Sequence, residues 1–135
     1  MMANLTAENI DKALQAALRK AEEIGVPSSV AIVDEGRELL AFRRQDDAPL
    51  ASTEISIAKA YTARSLDMDT RDLTDLVQPG GPLYGLETTH QRPLVVFGGG
   101  RPLLSGGHVV GGVGVAGGDP GQDHEVASAA VDALA

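Results

Sequence analysis

The chain has 135 residues, no cysteine and a formal net charge of −8. That length fits a single domain, 1–135, large enough to bury its core without a covalent staple. The missing cysteines exclude disulfides, zinc–thiolate sites and a thiol nucleophile. The acidic balance argues against nucleic acid, and Phe42, Tyr61, Tyr84 and Phe97 are too few aromatics for a base-stacking platform. No run approaches the roughly 18 apolar residues that read as a membrane span. MMANLTAENIDKALQ has no basic leader ahead of an apolar run, so a cytoplasmic protein is expected.

Residues 6–24 read as an amphipathic helix, with Ile10, Ala13, Leu14, Ala17, Leu18, Ala21 and Ile24 on one stripe. Thr6 is its expected N-cap, Leu5 and Ile10 form a staple, and Gly25 and Pro27 stop it. SSVAIVD (28–34) and RELLAFR (37–43) are expected to form a hairpin about Glu35-Gly36. Ser52 or Thr53 would cap a second helix over 53–66 carrying Ile55, Ala58, Tyr61 and Thr62. A short third helix would follow Asp69 or Thr70 and hold Leu73, Leu76 and Val77. QPGGPLYG (78–85) must be loop.

Beyond it, PLVVF, RPLL and HVVGGVGVA read as three strands separated by the turns GGG and SGG. In the last strand Val110, Gly112, Gly114 and Ala116 leave one face nearly bare, so a helix or a second subunit can sit directly on the backbone. Asp119, with Pro120 at the first helical position and Gln122 at N3, starts a final helix whose buried stripe is Val126, Ala127, Ala130, Val131 and Leu134. The order is α-β-β-α-α-β-β-β-α. Its hairpins imply mainly antiparallel pairing, hence an α+β domain with helices around one sheet.

Gly112, Gly114 and Gly117 match G-x-G-x-x-G, but the first two fall inside a strand and no ribose-binding unit follows, so the spacing is coincidental. The histidines are His90, His108 and His124. A metal reading would gather Glu87 and His90 with Asp123 and His124; no pair has helical H-x-x-x-H spacing, which favours surface or structural histidines. Lys59 is either a solvated helix position or a cation at a pocket mouth able to hold a carboxylate. No nucleophile elbow is present, and the residues by themselves name no reaction.

Taken in order, VDEGRELLAFRRQDDA, SIAKAYTA, QPGGPLYGLETT and VVFGGGRPLLSGGHVVGGVGVAGG resemble the GlcG/HbpS-like family over residues 5–134. Members are described as haem-degrading domains and also form the C-terminal part of PduO-type proteins. The resemblance implies a profilin-like three-layer α+β fold, with an antiparallel sheet of about five strands flanked by helices. It also implies homo-oligomers of up to eight copies, and haem or a related tetrapyrrole as the candidate cofactor. Its expected pocket comprises the second helix, the 80–90 loop and the glycine turns. Lys59 and Arg43 would hold anions, Tyr61, Gly99, Gly100 and Arg101 would line the site, and His90 or Tyr61 would ligate iron. The alternative is a small cofactor-free enzyme acting on a carboxylic acid, with Glu54, Glu87 or His90 as general acid or base. Two departures stand out: the usual Met-Asp-Gly-Ala turn reads Gln45-Asp46-Asp47-Ala48, and the usual Gly-Val-Ser-Gly reads Gly114-Val115-Ala116-Gly117.

Overall fold

The computed structural model describes residues 5–135. Residues 1–4, on which part of the leader reading rests, lie outside the described residues. Helix α1 (Ala7–Glu23) starts at Thr6, whose hydroxyl accepts from the Asn9 amide, and Ala13, Ala17, Leu18 and Ala21 form its buried stripe, as expected. Leu5 and Ile10 both pack against the core beneath it.

Strands β1 (Ser29–Asp34) and β2 (Leu39–Arg44) pair antiparallel. The turn between them is longer than the expected Glu35-Gly36, since β2 starts only at Leu39. The Asp34 carboxylate accepts from the Gly36 and Glu38 amides, and Arg37 takes positive φ (68°). Strand β1 is buried on both faces: Val30 and Ile32 join one hydrophobic cluster, Ala31 and Val33 another. A strand covered twice reads as a continuous apolar run, which is how SVAIV looks.

Helix α2 (Ser52–Leu66) begins without a side-chain cap. Ala51 occupies that position, and the Ser52 hydroxyl donates instead to the Pro49 carbonyl. Its sheet-facing side is made of small residues such as Ser56, Ala60 and Ala63, whereas Ile55 and Ala58 point away from the sheet into a groove. The expected third helix is a single 3₁₀ turn, Thr70–Leu73, and a second such turn covers Leu86–Thr89.

PLVVF is not a strand, which corrects the expected five strands to four. Its backbone groups bond to threonine hydroxyls instead of a neighbouring strand. The Val95 amide donates to Thr62, and the Thr74 and Thr70 hydroxyls donate to the Val96 and Phe97 carbonyls. Strands β3 (Gly100–Ser105) and β4 (His108–Ala116) then form a hairpin through Gly106 and Gly107, both at positive φ. The sheet order is β2-β1-β4-β3, antiparallel throughout.

The nearly bare face of β4 meets α2. A Cβ on Gly114 would collide with the Ser56 carbonyl and the Ala60 amide, and one on Gly112 with the Ala60 carbonyl. Val113 and Val115, on the other face, pack with α1 and with α3 (Pro120–Ala133). Asp119 and Gln122 close a reciprocal capping box on α3, an arrangement worth about 1 kcal/mol. The result is three layers: α1 and α3, the sheet, and α2.

Candidate ligand groove and buried lysine

The outer side of α2 and the extended 92–96 segment enclose an open groove of about 440 Å³. Ile55, Ile57, Ala58, Pro93 and Val95 give it an apolar wall, and Glu54, Tyr61 and Arg92 supply its polar groups. Tyr61 is held from two sides. The Arg37 guanidinium donates to its hydroxyl at 3.2 Å and lies 4.7 Å from the ring centre, while the Arg92 guanidinium stands 4.0 Å from that centre. The His90 ring meets Tyr61 edge-on at 6.1 Å, so the structure brings Glu54, Tyr61 and His90 into one neighbourhood. Glu87 is exposed in the adjacent 3₁₀ turn and does not line the groove.

Thr89 Oγ1 donates to the Leu86 carbonyl at 2.7 Å and lies 2.8 Å from His90 Nδ1, which ties the ring to the adjacent 3₁₀ turn. Imidazole is the commonest side-chain metal ligand.

Lys59 is not on a solvated face, the first of the two places considered from sequence. It is fully buried, donating to Asp123 Oδ2 and to the Val115 carbonyl, each at 2.8 Å. Asp123 Oδ1 in turn accepts from the Gly118 amide. Burial pushes the Lys59 amine down and the Asp123 carboxyl up, against the mutual hydrogen bond and attraction that favour their charged forms. Both residues line a separate cavity of about 160 Å³, together with Phe97 and Ala116. Ala116, where the resemblance leads one to expect serine, brings a methyl group rather than a hydroxyl to this lining. The other departure also has a visible effect: Asp47 takes φ 68°, the conformation a glycine would hold more freely.

The remaining expected site residues are dispersed. Arg43 lines a different cleft, of about 430 Å³, with Arg19 and Asp46 between α1 and β2. Gly99 and Gly100 are buried against Lys59; a Cβ on Gly99 would press on Nζ, and one on Gly100 on the Lys59 carbonyl. Arg101 pairs with Asp69 at 3.0 Å and donates to Ser128. No group of three or more His, Cys, Asp or Glu suited to a metal ion occurs among the described residues, and Asp123 is engaged by Lys59 rather than gathered with Glu87 and His90. Sequence reasoning missed Arg37, Arg92 and Phe97. None lies in a chemical motif, and each acts through a neighbour distant in sequence.

His124 gives a pH prediction. Its Nδ1 is buried without a partner, and burial, Arg71 and Arg101 push its imidazole below the ordinary 6.5, opposed by Asp69 and Asp72. The unfolded chain therefore takes up a proton near pH 6.5 that the folded chain refuses until lower pH, and stability declines as pH falls through that window. Denaturation midpoints of the native chain and of His124→Gln, compared from pH 7 to about pH 5, should show a shallower slope for the variant. Equal slopes would remove His124 from the acid response.

The fold and groove define an α+β domain of three layers, with an antiparallel sheet between helices and a largely apolar groove lined by Tyr61, which His90 meets edge-on. The family model described as haem-degrading protein HbpS-like matches residues 5–132. The chain belongs to this HbpS-like family. It is 46% identical over 131 residues to an uncharacterized 15.0 kDa protein from the dhaT-dhaS intergenic region of Citrobacter freundii, covering 97% of this chain and 92% of that one. The solved PduOC:heme complex superposes with a TM-score of 0.93 at 38% identity, covering 98% of this chain and 96% of that one. HbpS itself matches with a TM-score of 0.88 at 32% identity, covering all of this chain and 93% of that one.

Proposed function

We propose that this protein binds haem, or a related tetrapyrrole, in the groove beside α2. The observation that carries the reading is the apolar wall of this groove beside Tyr61, whose ring the His90 imidazole meets edge-on at 6.1 Å. Ile57, Ala58, Pro93 and Val95 would pack against the macrocycle, Arg92 would meet a propionate, and His90 or Tyr61 would ligate iron. When bound, the iron supplies redox and ligand-exchange chemistry. Similarity to a relative solved as a haem complex supports the reading. Lys59, Arg43, Gly99, Gly100 and Arg101 are not needed for this pose. The groove is open on one side, and the edge strand β2 exposes Leu39 and Leu40, so the proposal takes the working form as a homo-oligomer.

Titrating haem into the pure protein is expected to give a saturable, stoichiometric Soret band. His90→Ala should shift that band and weaken binding on the order of tenfold, about 1.4 kcal/mol. A native chain that gives no saturable band at micromolar haem would sink the proposal. An unchanged spectrum in His90→Ala would transfer the iron to Tyr61. The same sample on a sizing column tests the assembly, and elution at the 14.0 kDa of one chain rejects it.

A further inference from the structure

The buried lysine has no part in the haem reading, and its cavity shares only Ile55 with the groove. An ammonium has three hydrogens to place. Two of those on Lys59 go to Asp123 and the Val115 carbonyl, and the remaining face of Nζ looks onto the Phe97 ring, whose centre is 5.1 Å away. Phe97 is 41% exposed and lines the cavity together with Lys59 and Asp123, so it stands between the amine and solvent. The cavity is bounded by Pro49, Ala51, Ile55 and Phe97, and at about 160 Å³ it accommodates roughly five water-sized groups.

We infer that Lys59 is a nucleophilic amine that condenses with a short-chain aldehyde or ketone entering this cavity, with Asp123 as its proton partner. A lysine amine desolvated by burial is one that can attack a carbonyl to form an imine, and Asp123 lies at hydrogen-bond distance to take and return its proton. The Lys59 ammonium passes a proton to the Asp123 carboxylate. The freed nitrogen pair attacks the carbonyl carbon, forming a C–N bond, and the former carbonyl oxygen takes up the nitrogen's proton to give a carbinolamine. Asp123 returns its proton to that hydroxyl, which leaves as water while the nitrogen pair closes the C=N bond. The products are an iminium on Lys59, one water and an ionised Asp123, so charge and atoms balance without an added oxidant or reductant. The downward displacement of the amine and upward displacement of the carboxyl fit this exchange.

The sequence has three lysines, Lys12, Lys20 and Lys59, so internal controls are built in. Native protein would be incubated with butanal and cyanoborohydride near neutral pH, then digested and mapped by mass spectrometry. Lys59 is expected to carry one butyl group at several times the extent of Lys12 and Lys20, both on α1. Phe97→Ala should raise labelling at Lys59 alone, and Asp123→Asn should lower it. Modification confined to Lys12, Lys20 and the terminal amine, or equal at all sites, overturns the inference. So does labelling of Lys59 only in Phe97→Ala, because the native chain would then keep the amine closed.

Discussion

Lys59→Met is expected to destabilise the fold by about 3–5 kcal/mol at neutral pH, the range for a buried pair that loses one partner. The methionine fills the lysine's space, but the Asp123 carboxylate remains 3% exposed with no cation beside it. Its carboxyl, already raised by burial, loses the hydrogen bond and the attraction that opposed that rise. A group raised in the folded state contributes its stability below the unfolded value of 3.8 and loses it as pH climbs through the folded value. The deficit of Lys59→Met should therefore be small in acid and grow toward neutrality. Lys59→Met with Asp123→Asn removes the stranded charge and keeps an acceptor for the Gly118 amide. This double variant should recover about 2 kcal/mol of the single loss. Urea midpoints for the four chains of this cycle measure the coupling, and a double variant no better than the single would show that lost packing, rather than charge, dominates.

Gly114→Ala is the second large effect. The added methyl would meet the Ser56 carbonyl and the Ala60 amide, which belong to the backbone of α2 and cannot rotate aside. The helix must lift from β4, and a loss of at least about 2–3 kcal/mol is expected. Gly121→Ala is the contrast. It sits in the first turn of α3, where the nearest obstacle is the Asp119 carboxylate at 3.3 Å. Alanine there should be neutral or stabilising, by up to about 1 kcal/mol. Paired denaturation curves decide, and equal midpoints for the two substitutions would contradict the close seating of α2.

Legibility in the sequence followed how local the cause was. Thr6, Asp119 and Gln122 form caps within a few residues of themselves, and both appear in the structure. The bare face of β4 was readable because strand alternation separates its glycines from its valines, and α2 does sit on it. PLVVF looked like a strand because its composition suits one, yet whether it pairs depends on Thr62 and Thr74 offering hydroxyls from elsewhere in the chain. The burial of Lys59 was invisible for the same reason. Its partner is Asp123 on α3, and nothing in SIAKAYTA indicates that an acid will arrive there. Tyr61 and His90 were singled out separately, but their meeting, and the two guanidiniums about Tyr61, are products of the tertiary fold.

The sheet order also governs when the molecule becomes itself during synthesis. Strand β1 has β2 available almost at once, but its other neighbour, β4, lies beyond α2 and the long loop region. Helix α1 waits longer still, because α3, which packs against it, follows β4 in the chain. At about 5–20 residues per second, a nascent chain would carry the apolar stripe of α1 and one open edge of β1 uncovered for several seconds. Pairings so distant in sequence favour slow, concerted closure over stepwise growth. Helix α1 is thus made well before the element that secures it.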